Sequence, residues 1–230
     1  MLVATRNPLN LGAAARAMSN FGFPRLRVVN PFEMAFREAR SAVGAEAVLA
    51  AAEEYPTLAE AISDCSLVVG TTAATRRDLR QPLRRLDDGA RKIRRLLSST
   101  RVALLFGSEK RGLSNQDLNF CHWVMRIPTR AEHASMNLGQ AVAVCLYELA
   151  RLENDDGASP NPALAATEKL EQITSFLFVA LQISGYVKAR TAGSAEDKLR
   201  RLVRRLQLSE ADAETWLGML RQILWKLNQE

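Results

Sequence analysis

The chain has 230 residues, with 31 Lys and Arg against 25 Asp and Glu, a formal net charge of +6 and a pI near 9.6. Hydrophobic residues make up 47% and charged residues 24%, which supplies a core and excludes a disordered chain; 12 Gly and 8 Pro without a period exclude a collagen-like one. No apolar run approaches the roughly 18 residues of a membrane span. No basic segment followed by a long apolar run opens the sequence, so a cytoplasmic protein is expected. Three scattered cysteines, Cys65, Cys121 and Cys145, make no disulfide framework, and with only two histidines no zinc spacing is present, so no metal is expected. Cys145 lies in an apolar helical pattern and reads as a core residue. Of the cations, 25 are Arg and 6 are Lys. The guanidinium fork suits phosphate and stacks on bases, although a GC-rich genome enriches Arg equally well.

In chain order, residues 2–5 read as a short strand. A turn from Asn7 to Gly12 leads to an Ala-rich helix at about 13–20, stopped by Gly22. Residues 26–29 form a second strand, and a helical stretch is expected over 35–52. Thr57 starts a helix as N-cap, with Glu60 three residues on as in a capping box. A strand at 66–69 runs out into Gly70-Thr71-Thr72. A basic helix at 88–98, a strand at 102–106, a short helix at 114–120, a strand at 122–127 and a long helix at 136–153 follow. This alternation predicts an α/β fold with a parallel sheet, whose ligands bind where strands end. Residues 153–162 are polar and rich in turn formers, and read as a linker. Beyond them three helices are expected with no strand, at 163–184, from Ser194 with Asp197 in the capping-box position, and from Ser209 with Asp212 likewise. In the second of these, Leu199, Leu202, Val203 and Leu206 make an apolar stripe. Its other face carries Lys198, Arg200, Arg201, Arg204 and Arg205.

No GxGxxG follows the first strand, and no phosphate-binding P-loop or nucleophile elbow is present. Ser135 and His133 lie close together, yet no orienting carboxylate completes a hydrolase. Three other segments stand at strand ends. Asn10, Gly12 and Arg16 lie at the first strand-to-helix passage. Phe106-Gly107-Ser108-Glu109-Lys110-Arg111-Gly112-Leu113 is a Gly-flanked charged loop. Ile127-Pro128 leads through a polar loop to Ser135, Asn137 and Leu138 at the start of the long helix, where free N–H groups favour a polar or anionic ligand. Read singly, Ser135 is a helix cap, Asn137 a first-turn helix residue and Glu109 a solvated loop charge.

Taken together and in this order, the three segments resemble the SPOUT class of RNA methyltransferases. Within it they are similar to the TrmH family, and most to the TrmJ-type tRNA 2′-O-methyltransferases. The likeness is strong over residues 1–152 and weaker in the tail, where Lys198 to Leu202 resembles that of TrmJ-type enzymes. It implies a SPOUT domain over 1–152 with a deep C-terminal trefoil knot, and a small all-α extension over 163–230. No general rule of chain topology predicts the knot. The resemblance also implies a homodimer with S-adenosyl-L-methionine bent into the knot, held by Thr71, Thr72, Ala73, Gly107, Glu109, Ile127, Ala134, Ser135, Met136 and Leu138. Arg16, Ser135 and Asn137 are its catalytic residues, with Arg16 reaching the cofactor of the other chain.

The implied reaction is in-line methyl transfer to a ribose 2′-oxygen of tRNA, at position 32 of the anticodon loop. Alternatives are a 2′-O-methyltransferase acting on rRNA or another tRNA position, and a non-catalytic RNA-binding homologue. The latter would lack Arg16, Ser135 or Asn137, and all three are present. A guanidinium holds its proton to above about pH 12. Arg16 therefore reads as a phosphate and oxygen clamp rather than a base, with Ser135 or water relaying the proton. RNA contact falls to Arg76, Arg77 and Arg80, beside Arg84 and Arg85, and to Lys198, Arg200, Arg201, Arg204 and Arg205 on the tail. Trp123, Trp216 and Trp225 read as packing residues. His133 stands where TrmJ-type enzymes often carry Tyr, and Ala134 replaces a frequent Ser. The first motif follows close on the chain start, as it would with a mis-assigned start codon.

Overall fold

The computed structural model describes residues 1–31, 44–73, 79–151 and 163–229. The first part of the helix expected over 35–52, Arg76 and Arg77, and the 153–162 linker lie outside them.

Seven parallel strands are present among the described residues: β1 (Leu2–Val3), β2 (Arg27–Val29), β3 (Glu53–Tyr55), β4 (Leu67–Thr71), β5 (Leu83–Arg85), β6 (Val102–Leu105) and β7 (Trp123–Arg126). They pair as β1-β2-β3 and β5-β7-β4-β6. A parallel bridge from Leu2 to Phe106 joins β1 to the end of β6, with Val3 N donating to Phe106 O at 2.8 Å. The order across the molecule is therefore β3-β2-β1-β6-β4-β7-β5. The outer strands β3 and β5 carry Glu-Glu-Tyr and Leu-Arg-Arg, which hide them from hydropathy reading. Polar edge strands are a common device against edge-to-edge pairing. β3 is fastened by Arg27, which lies opposite Glu53 in register, donates to it at 2.9 Å and reaches Asp64 with both terminal nitrogens.

Alternate strand residues face opposite ways and build two cores. Leu2, Val28, Leu67, Val69, Trp123 and Met125 meet α1 (Pro8–Asn20), α2 (Glu46–Ala50), α4 (Leu86–Leu96) and α6 (Leu138–Arg151) on one face. Val3, Val29, Val68, Leu105 and Val124 meet α3 (Leu58–Ala61) and α5 (Asn115–Asn119) on the other. α1 and α6 touch closely, because a Cβ on Gly139 would stand 2.6 Å from that of Ala13.

α1 begins five residues before the expected helix. The supposed turn is its start, since the Asn7 side chain accepts from Leu9 N at 2.9 Å as N-cap and Pro8 takes the first helical position. Proline fits there because its missing N–H would have been unpaired.

Three helices follow the linker: α7 (Thr167–Ile183), α8 (Ala192–Leu206) and α9 (Glu210–Leu227). They share a small core of Leu170, Ile173, Val203, Ala213, Leu217 and Leu220. Ser209 caps α9 as expected, accepting from Asp212 N. α8 does not start at Ser194. A 3-10 turn at Ala189–Thr191 runs straight into the helix, so Ser194 sits inside and donates to Thr191 O, while Asp197 pairs with Arg200.

The faces of α8 also differ from expectation. Leu202 and Leu206 are exposed, Val203 is buried, and Arg204 is only 1% exposed. Arg204 donates to Thr167 Oγ1 at 2.9 Å and Glu171 Oε1 at 2.7 Å, and Arg200 also binds Glu171. A buried guanidinium paired with an acid tethers the helix where an exposed one would be free for RNA. Trp225, expected to pack, is exposed.

The tail is seated on the first body by Thr167 N to Cys65 O at 2.8 Å, Arg201 to Asn119 Oδ1 at 2.6 Å, and Arg200 over the Phe120 ring at 5.0 Å. Among the described residues no helix is long and apolar enough to cross a membrane, and no three His, Cys, Asp or Glu gather as metal ligands would.

Buried His122 is pushed down to about 3 by desolvation and the nearby Arg204 charge, and its Nδ1 accepts from Val68 N at 3.1 Å. Its neutral form therefore belongs to the fold, while the unfolded chain takes up a proton below about pH 6.5. Stability from this group is full above that pH and is lost as pH falls toward 3. Between pH 7.5 and 5.0 the wild type should lose about 2 kcal/mol more unfolding free energy than His122→Asn, which keeps an acceptor for Val68. Urea titrations at the two pH values measure this; equal losses would remove His122 as the acid-sensitive group.

Candidate active site

The ends of β4, β6 and β7 open into a cleft of about 470 Å³. Thr71, Thr72 and Ala73 approach from β4, Gly107 and Glu109 from the loop after β6, and Ile127, Ala134, Ser135, Met136 and Leu138 from the passage between β7 and α6. The ten residues assigned to cofactor binding from the sequence thus line one space. Phe106 and Leu113, from the Gly-flanked loop segment, add apolar wall together with Met125 and Ala141, which the sequence does not mark, and Lys110 and Arg111 add rim charge.

The mouth is shaped by backbone. Thr71 Oγ1 donates to Leu105 O at 2.8 Å, and Thr72 N to Met125 O at 3.0 Å, so the three strand ends are held together. The loop after β6 folds on itself, with Gly112 N donating to Ser108 O at 2.8 Å. Gly107 is required there because a Cβ would lie 2.0 Å from Gly112 C. This is a steric demand of the tight loop, independent of φ.

Glu109 does more than brace its own loop. Its carboxylate accepts from Asn7 N and Asn10 Nδ2 at 3.2 Å, and from Arg6 N at 3.4 Å. It therefore places negative charge at the N-terminus of α1. Asn10 Oδ1 in turn accepts from Asn137 Nδ2 at 2.8 Å. Asn137 Oδ1 accepts from Gly139 N at 2.9 Å, so Asn137, not Ser135, caps α6. Ser135 is left exposed at the cleft without a capping duty. The role of Asn10 went unassigned in the sequence; its place in the first motif was the only signal.

Arg16 is exposed on α1 and does not line the cleft of its own chain. His133 is exposed in a 3-10 turn beside the cleft loop. Arg80, Lys198 and Arg205 are solvent-facing, whereas Arg200, Arg201 and Arg204 are engaged inside the protein. The three cysteine thiols are each pushed up to about 12, mainly by burial, so none is a nucleophile at neutral pH.

Burial alone would raise the Glu109 pKa, but its own backbone, Asn10, Asn7 and Arg6 as donors outweigh it and hold the carboxyl below its usual value. The stabilisation is present above about pH 4.3 and lost as pH falls through the lowered value. Glu109→Ala should cost about 1 kcal/mol at pH 7, the scale of a helix cap, and less near pH 3. Chemical denaturation at both pH values checks this, and an undiminished cost at pH 3 would contradict the charge-based account.

Comparison with known proteins agrees with this geometry. The SpoU rRNA Methylase family matches residues 1–147, a stretch that holds the cleft and all of its braces. The tRNA (cytidine/uridine-2′-O-)-methyltransferase TrmJ of Salmonella typhimurium is 35% identical, aligned over 100% of this chain and 96% of its own length. That of Cronobacter sakazakii is 34% identical over 100% and 97%. The crystal structure of TrmJ from Z. mobilis ZM4 superposes with a TM-score of 0.82 at 30% identity, covering 96% of each chain. A probable methylase family protein from Haemophilus influenzae Rd KW20 gives 0.60 at 29% identity, covering 99% of this chain and 96% of its own. On this match and these full-length likenesses, the chain is a methyltransferase and belongs to the SpoU rRNA Methylase family.

Proposed function

We propose that the chain methylates ribose 2′-hydroxyls of tRNA in the cytoplasm, using S-adenosyl-L-methionine bound in the cleft, with position 32 of the anticodon loop as target. The observation that carries this reading is the gathering of three distant segments at the ends of three adjacent parallel strands, as ligand sites in such sheets require. The cleft suits the cofactor in both chemistry and size. Leu138, Ile127, Met125 and Phe106 offer apolar wall for an adenine, and backbone groups of 71–73, 107 and 134–136 offer polar contacts. Bound there, the cofactor supplies an electrophilic methyl group. The relatives named TrmJ support tRNA as the substrate.

The protein's own part is to orient the hydroxyl, hold the adjoining phosphate and take the proton. Ser135, exposed at the cleft, passes the proton on directly or through water. Arg16 clamps the phosphate. Since Arg16 stands outside its own cleft, it serves the cleft of a second copy in a homodimer. Asn137 acts by fixing the start of α6. Residues 1–152 form the SPOUT domain, with α6 threaded as a trefoil knot, and 163–230 a helical domain beyond a linker. Support for the knot is the entry of β7 between β4 and β5 while α6 packs back on α1.

Methyl transfer to total tRNA against rRNA, followed by mapping of the 2′-O-methyl site, tests the reading. Transfer to tRNA at position 32 is expected; transfer to rRNA alone would replace it. Arg16→Lys should lower kcat by about 100-fold, within the range of a lost transition-state contact. Full turnover with merely weaker RNA binding would exclude a catalytic Arg16. Arg16→Ala and Ser135→Ala should each be inactive, yet an exchanged equal mixture should recover about a quarter of wild-type activity, because half the chains form hybrids with one intact site. No recovery would place Arg16 in its own chain's site.

A further inference from the structure

A second concavity, of about 390 Å³, lies away from the methyl-transfer cleft and is lined by Arg84, Asp88, Arg91, Lys92, Arg95 and Leu96. Four of the six are cations. The single acid, Asp88, is taken up by Arg91 at 2.6 Å. The tail touches it at one point, where Lys92 Nζ donates to Gln207 Oε1 at 3.3 Å at the end of α8. Gln207 is neutral and gives Lys92 no balancing charge. Burial and the adjacent Arg84 charge lower the Lys92 pKa, as expected for cations pressed together without an anion.

Two donors at this place lack acceptors. Arg84 Nε is buried without a partner among the described residues, and so is Nε1 of Trp123, over whose ring the Arg84 guanidinium lies at 5.6 Å. Buried donors left unpaired are rare and call for a missing acceptor. Excess positive charge in the pocket, with one lining guanidinium carrying an unpaired buried donor, matches an oxygen-rich anion. Arg91, Lys92 and Arg95 present their charges within little more than one helical turn, about 6 Å of rise, the reach of one or two phosphate groups.

We propose that this cleft between β5, α4 and the end of α8 is a phosphate-binding subsite that grips the RNA backbone away from the reacting nucleotide. The choice of RNA over another polyanion rests on the functional reading above. The tail meets the subsite at Lys92, whose ammonium Gln207 holds from the end of α8. The subsite moves the RNA contact of this region from the buried Arg204 to Lys92, Arg84 and Arg95.

The test measures binding of the full chain to total tRNA and to rRNA fragments by fluorescence anisotropy from 50 to 300 mM KCl. Wild type is compared with Arg95→Gln, with Lys92→Gln/Arg95→Gln, and with Arg221→Gln on the far helix α9 as control. Each lost phosphate contact should weaken binding about tenfold near 0.1 M salt and make the slope of log affinity against log salt shallower by about 0.7–0.9. The control should match wild type, and S-adenosyl-L-methionine should bind the double variant with wild-type affinity. Arg95 is exposed, so Arg95→Gln keeps its fold and reports even if the double variant unfolds. Variants that bind every RNA as wild type does, with the same slope, overturn the subsite and leave the functional reading standing. Weakened binding confined to rRNA, with no methyl transfer to tRNA, upholds the subsite and overturns the tRNA reading. A wild type that binds neither RNA overturns both.

Discussion

Glu109, Asn10 and Asn137 lie 99 and 127 positions apart along the chain, yet one run of side-chain hydrogen bonds joins them. The run ties two walls of the cleft, the loop after β6 and the start of α6, to α1 between them. Glu109 holds the folded loop after β6 against the first turn of α1. Asn10 carries that hold through α1 by accepting from Asn137 Nδ2, and Asn137 Oδ1 caps the start of α6. Two of the three segments that meet at the cleft are therefore held by partners that are themselves hydrogen-bonded rather than left to solvent. Such support fixes the segment that carries the exposed Ser135 into the cleft.

Beneath that joint, the glycines set how close the backbone pieces come. Gly139 lets α6 lie against Ala13 of α1, and Gly107 lets its loop close on Gly112. A methyl group at either position would push apart the pieces that the hydrogen bonds draw together. The mouth of the cleft is made by backbone approach, and side chains then lock it.

The arginine surplus divides into jobs that composition cannot distinguish. Arg27 fastens β2 to β3 and to the turn after α3. Arg200 and Arg204 bind Glu171, and Arg201 reaches Asn119 across to the first body. These guanidinium groups work as internal ties. Arg16, Arg80, Arg84, Arg95 and Arg205 remain turned toward solvent or toward clefts. A net charge of +6 thus does not record which guanidinium groups are tied inside the protein and which face solvent.

The sequence by itself determined the alternating α/β order and the caps at Thr57 and Ser209, because those depend on local periodicity and on residue types at helix starts, whereas the members of the cleft came through the resemblance to a known family. It did not reveal the polar edge strands β3 and β5, whose stability comes from neighbours rather than their own hydropathy. The start of α1 is written in Asn7-Pro8, a pair that opens turns and helices alike, so spacing along the chain does not separate the two. Only the tertiary structure decided which arginines are buried and that Asn137 rather than Ser135 caps α6. These are matters of long-range contact: a guanidinium is free or tied according to which acid another helix brings to it, and no spacing along the chain records that meeting.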